Sequence, residues 1–228
     1  MSDSRSSSGV ETPGPKRELV VFLHGLGQTP QAWQDQVVAL PSGIGAVAPW
    51  LYGLKPGSQD LFELSRAADD VARTLDLQGI QRAHLVGVSL GARVALESAR
   101  RHGDRVETLV LGGMPGTPPL IARGVSRLAT RLVPRATYAN QQLDKSRVVA
   151  ATDAVARMGA ATGKGVEQRS LLLVGSQDAA GRGVARQLQE EMPNAVLQEL
   201  TGAGHLVNTE AAQGFTQALL DFHGWNRN

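Results

Sequence analysis

Ala83-His84-Leu85-Val86-Gly87-Val88-Ser89-Leu90-Gly91-Ala92 decides how this chain folds. The nearly continuous apolar run Ala83–Val88 has the character of a strand buried on both faces. From Ala92 to Arg101 the pattern is helical. The five residues Gly87-Val88-Ser89-Leu90-Gly91 must therefore turn a strand sharply into a helix. Gly87 and Gly91 remove the Cβ atoms that would collide with neighbouring backbone in so tight a turn. The turn lifts the Ser89 hydroxyl clear of the sheet, at the positive end of the following helix. A hydroxyl placed there is a candidate nucleophile, provided a base stands beside it.

Outward from this turn the same alternation repeats. Short apolar runs lie at Leu19–Leu23, Gly45–Ala48, Val106–Leu111, Ser170–Val174 and Ala195–Leu200. Amphipathic segments separate them; in Ser58–Leu77, Leu61, Leu64, Ala68, Val71 and Leu75 recur at helical steps. This rhythm predicts an α/β fold, a mostly parallel sheet with helices on both faces, whose functional edge lies beyond the carboxyl ends of the strands. The interval 112–169 is too long for one crossover. Leu120, Ile121, Val125, Leu128, Leu132 and Val133 are spaced for a helix ending at Pro134, and Asp144–Met158 for another. These predict a short helical cap inserted at about 114–166, because long insertions at strand ends often carry binding elements. Residues 1–17 are Ser-, Gly- and Pro-rich and bury too little to offset their ordering entropy, so they read as a disordered tail.

Composition narrows the function. The 228 residues suit one domain, 18–228, with a sizeable core. A formal net charge of +2 with scattered Arg gives no nucleic-acid face. With no cysteine there is no disulfide, thiol nucleophile or thiolate metal site. No apolar run approaches the roughly 18 residues of a membrane span, and residues 1–17 lack the apolar core of a secretory signal, so a cytoplasmic location is expected.

Ser89 needs a base and an acid. Of His24, His84, His102, His205 and His223, only His205 follows the last strand in a Gly-rich loop, Thr201-Gly202-Ala203-Gly204-His205. That loop lies at the edge where Ser89 emerges. Val174-Gly175-Ser176-Gln177-Asp178 ends the preceding strand, and the Asp178 carboxylate can orient an imidazole there or cap the helix Ala179–Met192. After the first strand, His24-Gly25-Leu26-Gly27 can offer the Leu26 N–H to a developing oxyanion, with the Leu90 N–H as second donor. His24 reads as a brace for that loop.

The order Ser89, Asp178, His205 resembles that of the α/β-hydrolase family, in particular its small bacterial esterase and lactonase branch. The matching stretches are Val21-Phe22-Leu23-His24-Gly25-Leu26-Gly27, Gly87-Val88-Ser89-Leu90-Gly91, Gly175-Ser176-Gln177-Asp178 and Gly202-Ala203-Gly204-His205. The resemblance implies a Ser-His-Asp triad, an acyl-enzyme, a small-molecule ester, lactone or thioester as substrate, and neither metal nor organic cofactor. It leaves carbon–carbon bond hydrolysis and acyl transfer open, and a non-catalytic small-ligand binding protein as the reading from another class.

Two features depart from the family. The usual N-terminal hairpin is missing, which predicts six strands in the order 4-3-5-6-7-8 by the family's labels. Gly45–Ala48 then becomes an exposed edge that invites pairing into a homodimer. Where many relatives carry a polar Asp-x-Arg-Gly-x-Gly turn, this chain has Trp50-Leu51-Tyr52-Gly53-Leu54-Lys55. With only 4 Phe, 3 Trp and 2 Tyr in the chain, Trp50 and Tyr52 are candidates for an apolar substrate wall.

Overall fold

The computed structural model describes residues 18–116, 134 and 145–226. Both the N-terminal tail and the predicted helix ending at Pro134 lie outside them. Six strands form one sheet: β1 (Leu19–Leu23), β2 (Gly45–Val47), β3 (Ala83–Val88), β4 (Val106–Gly112), β5 (Arg169–Gly175) and β6 (Ala195–Leu200). Their order is β2-β1-β3-β4-β5-β6, as expected. The sheet is more regular than expected, since all five pairings are parallel.

Period-two alternation along the strands divides the core in two. Val21, Leu23, Leu85, Leu109 and Leu172 face α2 (Leu64–Leu77) and α3 (Leu90–Arg101). On the other face, Val20, Phe22, Val86, Val88 and Val110 pack with Trp33 and with α7 (Ala212–His223). There Trp33 lies between Phe22 and Phe215, with ring centroids 5.1 and 5.5 Å away. The remaining α-helices among the described residues are α1 (Gln34–Ala39), α4 (Lys145–Arg157), α5 (Ala179–Glu191) and α6 (Val207–Glu210).

The helix expected over Ser58–Leu77 starts only at Leu64, with Glu63 extended before it (φ −139, ψ 129). The segment before it serves another purpose. Its backbone at Leu61–Phe62 lies so close to Gly53 that a Cβ on Gly53 would stand 2.4 Å from the Phe62 nitrogen. Phe62 is consequently buried, and Leu61, which the helical spacing assigned to the core, is 66% exposed.

Histidine burial weakens the fold in acid. His84 on β3 is buried, and desolvation, with the charges of Arg169 and Arg82, pushes its imidazole down to about 4. An unfolded imidazole titrates near 6.5, so on acidification the unfolded chain takes up a proton that the folded chain refuses. The stability is complete above about pH 6.5 and is lost as pH falls toward 4, by on the order of 3 kcal/mol for such a shift. Denaturant titrations across this range should show that loss. His84→Asn, which keeps a donor for Thr108, should show a shallower pH slope, whatever its stability at neutral pH.

Candidate active site

Ser89 stands between β3 and α3 with φ 52 and ψ −114, the one non-glycine at positive φ among the described residues. Its neighbours allow this. A Cβ on Gly87 would lie 2.4 Å from the Gly91 carbonyl oxygen, and one on Gly91 only 1.9 Å from the Leu23 carbonyl oxygen. The Ser89 N–H is tied to the Gly112 carbonyl at 2.9 Å. The turn predicted from the two glycines is therefore present, with the serine at its apex.

The His205 loop reaches Ser89 because glycines at the strand ends make room for its backbone. A Cβ on Gly175 would meet the Gly204 carbonyl oxygen at 2.1 Å, and one on Gly113 the His205 carbonyl oxygen at 2.0 Å. Gln177 N–H to Ala203 C=O (2.9 Å) and Gly202 N–H to Ser176 Oγ (2.9 Å) stitch the two loops together. Glu210 grips the loop from both sides of His205, accepting the N–H of Gly204 at 2.6 Å and of Leu206 at 3.2 Å.

His205 Nδ1 lies 2.8 Å from Asp178 Oδ2, and His205 Nε2 lies 2.8 Å from Ser89 Oγ. A carboxylate only accepts, so the proton sits on Nδ1 and the Nε2 lone pair faces the serine hydroxyl. Asp178 performs both tasks considered for it. Oδ2 takes His205, while Oδ1 accepts the Gly181 N–H at 2.8 Å and caps α5.

The Gly25–Leu26 turn stands against the serine; a Cβ on Gly25 would be 3.4 Å from Ser89 Cβ. The Gly25 carbonyl accepts from His24 Nδ1 (2.9 Å) and from the Gln28 N–H (3.1 Å). In a trans peptide the C=O and the following N–H point in opposite directions, so those bonds turn the Leu26 N–H away from the core. Neither Leu26 N–H nor Leu90 N–H has a hydrogen-bond partner among the described residues. His24 is fully buried, and desolvation pushes it down to about 4 against a smaller opposing effect of its bond to Gly25. It is a neutral brace, as expected, with Nδ1 on Gly25 and Nε2 accepting the Leu51 N–H at 3.2 Å.

Trp50 meets His24 edge-on, with ring centroids 5.3 Å apart. The Tyr52 hydroxyl instead accepts from Arg66 on α2 at 3.1 Å. Gln28, Asn208, Glu210 and the Gly112-Gly113 pair were not singled out from sequence. Only the paired glycines at the end of β4 carried a visible signal, a strand end made to admit another backbone. No cluster of His, Asp and Glu suited to a metal occurs among the described residues. A cavity of about 780 Å³ opens at the opposite, amino-terminal end of the strands, beside Arg82, His84, Thr108, Arg169, His223 and Trp225.

A family model described as the alpha/beta hydrolase family matches residues 20–218, and the chain belongs to that family. Among curated relatives, RutD of Caulobacter vibrioides, a provisionally assigned carbamate hydrolase, is 25% identical, covering 90% of each chain. RutD of Caulobacter sp. strain K31 is 30% identical, but over 43% of this chain and 38% of its own length. Solved structures share the fold, two of them as follows. A hydrolase from Pseudomonas aeruginosa PA01 has a TM-score of 0.79 at 22% identity, covering 92% of this chain and 91% of that one. The enol-lactonase from Burkholderia xenovorans LB400 has a TM-score of 0.76 at 23% identity, covering 92% of each. No helix among the described residues is long and apolar enough to cross a membrane.

The backbone at Ser89 is strained for any residue with a side chain, at a typical cost of about 1–3 kcal/mol. Its φ and ψ mirror an extended conformation that glycine adopts freely. Ser89→Gly should therefore be more stable than Ser89→Ala by roughly 1 kcal/mol, measured by chemical denaturation. Equal stability would show that the elbow stores no strain.

Proposed function

We propose that this protein is a serine hydrolase that cleaves a carboxylic ester, lactone or thioester through an acyl-enzyme. The observation that carries the reading is the unbroken line from Asp178 through His205 to Ser89, with 2.8 Å at each step. His205 takes the Ser89 proton as Oγ attacks the substrate carbonyl. The Asp178 carboxylate holds the imidazole in the Nδ1–H form and stabilises the imidazolium. The resulting oxyanion accepts from the Leu26 and Leu90 N–H groups; one such donor typically supplies about 3 kcal/mol of transition-state stabilisation. His205 then protonates the leaving alcohol, and a water deprotonated by His205 releases the acid.

Esters and lactones lead the substrate class because an alkoxide leaves more readily than an amine. A carbamate, the substrate named for the RutD relatives, offers the same acceptor carbonyl. In this reading Trp50, Tyr52 and α4 of the insertion contribute to the wall that sorts substrates. Its support is that Arg147 on α4 donates to the Gly53 carbonyl at 2.9 Å, which ties the insertion to the aromatic turn.

A fluorophosphonate probe should label the wild-type protein at Ser89 and leave Ser89→Ala untouched. On the best ester of a panel, Asp178→Asn should lower kcat by about 10⁴-fold. Absence of wild-type labelling would instead favour a non-catalytic ligand-binding protein. Replacing Trp50 and Tyr52 by Ala should shift the preference between short and long acyl chains; an unchanged kcat/KM ratio for the two would remove them from the pocket.

A further inference from the structure

The two halves of the site come from opposite ends of the chain, the Gly25–Leu26 turn after β1 and the His205 loop after β6. A pair of side-chain amides joins them. Gln28 Oε1 accepts the Gly25 N–H at 3.0 Å, and Gln28 Nε2 donates to Asn208 Oδ1 at 3.2 Å. Asn208 is buried on α6, and its Nδ2 donates to the Ala32 carbonyl at 3.3 Å. We infer that Gln28 and Asn208 are a positioning pair that locks the oxyanion turn to the His205 loop. This rests on the serine-hydrolase reading.

Three observations carry the inference. The turn needs a lock. Gly27 has φ 83 with open space around it, and reversing the Gly25–Leu26 peptide would point a carbonyl, not an N–H, toward Ser89. Gln28 supplies the lock twice, with its backbone N–H on the Gly25 carbonyl and its side chain on the Gly25 N–H. The other end of the bridge is rigid. Asn208 has its own carbonyl held by Gln36 Nε2 at 3.3 Å, and it shares α6 with Glu210, which holds the backbone on either side of His205.

The polarity of the bridge is also fixed. Each amide uses its oxygen toward Gly25 and its NH₂ toward Ala32, so turning either one over sets like groups against each other. Gln28→Glu retains the acceptor for Gly25 but faces the Asn208 oxygen with another oxygen. Gln28 hydrogen-bonds to Gly25 and Asn208 rather than to the nucleophile or the base, so its contribution runs through the Leu26 N–H.

The test compares wild type, Gln28→Ala, Gln28→Glu, Asn208→Ala and the Gln28→Ala/Asn208→Ala double variant on the best ester. A fluorophosphonate titration first counts active sites. Gln28→Ala and Asn208→Ala should each lower kcat per titrated site by roughly 10- to 100-fold, part of the loss from deleting a donor outright. KM should stay within about twofold of wild type, because the turn contacts the oxyanion and not the ground state. Affinity for a trifluoromethyl ketone, which mimics the tetrahedral adduct, should fall by the same factor as kcat. Gln28→Glu should lose as much as Gln28→Ala, and the double variant no more than the worse single, as for residues acting as one unit. Wild-type kcat per titrated site in Gln28→Ala, or additive losses in the double variant, overturns the inference with the serine-hydrolase reading intact. Failure of wild type to react with the fluorophosphonate defeats that reading, and this inference with it.

Discussion

The close approach of α3 to β1 at Gly91 is the constraint on which the rest of the structure depends. A single added carbon there would lie 1.9 Å from the Leu23 carbonyl oxygen. Leu23 ends β1, and the Gly25–Leu26 turn follows it directly. The contact that seats the helix on the sheet therefore also brings the start of α3 beside that turn. Ser89 takes its unusual backbone as a consequence. The chain must reverse from a buried strand into a buried helix at one residue, flanked by Val88 and Leu90, neither more than 2% exposed. Burial on both sides holds the strained residue in place, and strain so compensated is characteristic of functional sites.

Most of this was legible in the sequence because it rests on local rules. Doubly buried parallel strands need continuous apolar runs, and these located all six strands to within about a residue, the usual uncertainty of element ends. Strand-end motifs placed Ser89, Asp178 and His205 at one edge. The start of α2 was misread because helical spacing cannot see a tertiary contact; the backbone around Phe62 is held extended by its approach to Gly53. The supporting side chains were invisible for a similar reason. Gln28 and Asn208 are separated by 180 positions, and a polar residue acquires meaning there only through the partner that folding delivers. Glu210 sits on a four-residue helix with no pattern of its own.

The supports themselves are largely neutral. His24, Gln28 and Asn208 hold the Gly25–Leu26 turn with uncharged groups, each donating and accepting once or more. That choice suits their location. A buried ion needs a partner and several hydrogen bonds to offset its desolvation, whereas an amide can be satisfied by two backbone groups. It also leaves the local field to the helix termini and to Asp178. That carboxylate caps α5 with one oxygen and holds the imidazole with the other, so the Gly181 N–H and His205 Nδ1 together restrain both its oxygens.

The electrostatics of the sheet also separate its two ends. The amino-terminal end has a cavity, and beside it a hydroxyl between two imidazoles: Thr108 Oγ1 is 2.9 Å from His84 Nδ1 and 2.8 Å from His223 Nε2. That hydroxyl resembles an activated nucleophile only at first sight. His223 donates from Nδ1 to the Leu219 carbonyl, so its Nε2 accepts the Thr108 proton, and Thr108 in turn accepts from His84. Thr108 also sits within β4, whose backbone N–H groups are committed to the ladder. In a parallel sheet this end collects helix carboxyl termini; α2 stops at Leu77, beside the cavity residues Gly79 and Ile80, and α7 stops at the cavity residue His223. Those termini carry partial negative charge and repel a developing oxyanion. The carboxyl end of the sheet collects the opposite charge, since α3 begins at Leu90 and α5 at Ala179, one residue beyond Ser89 and Asp178. The cavity and the field thus point to different ends, and the reaction proposed above, which creates negative charge, is favoured at the end where the field is positive.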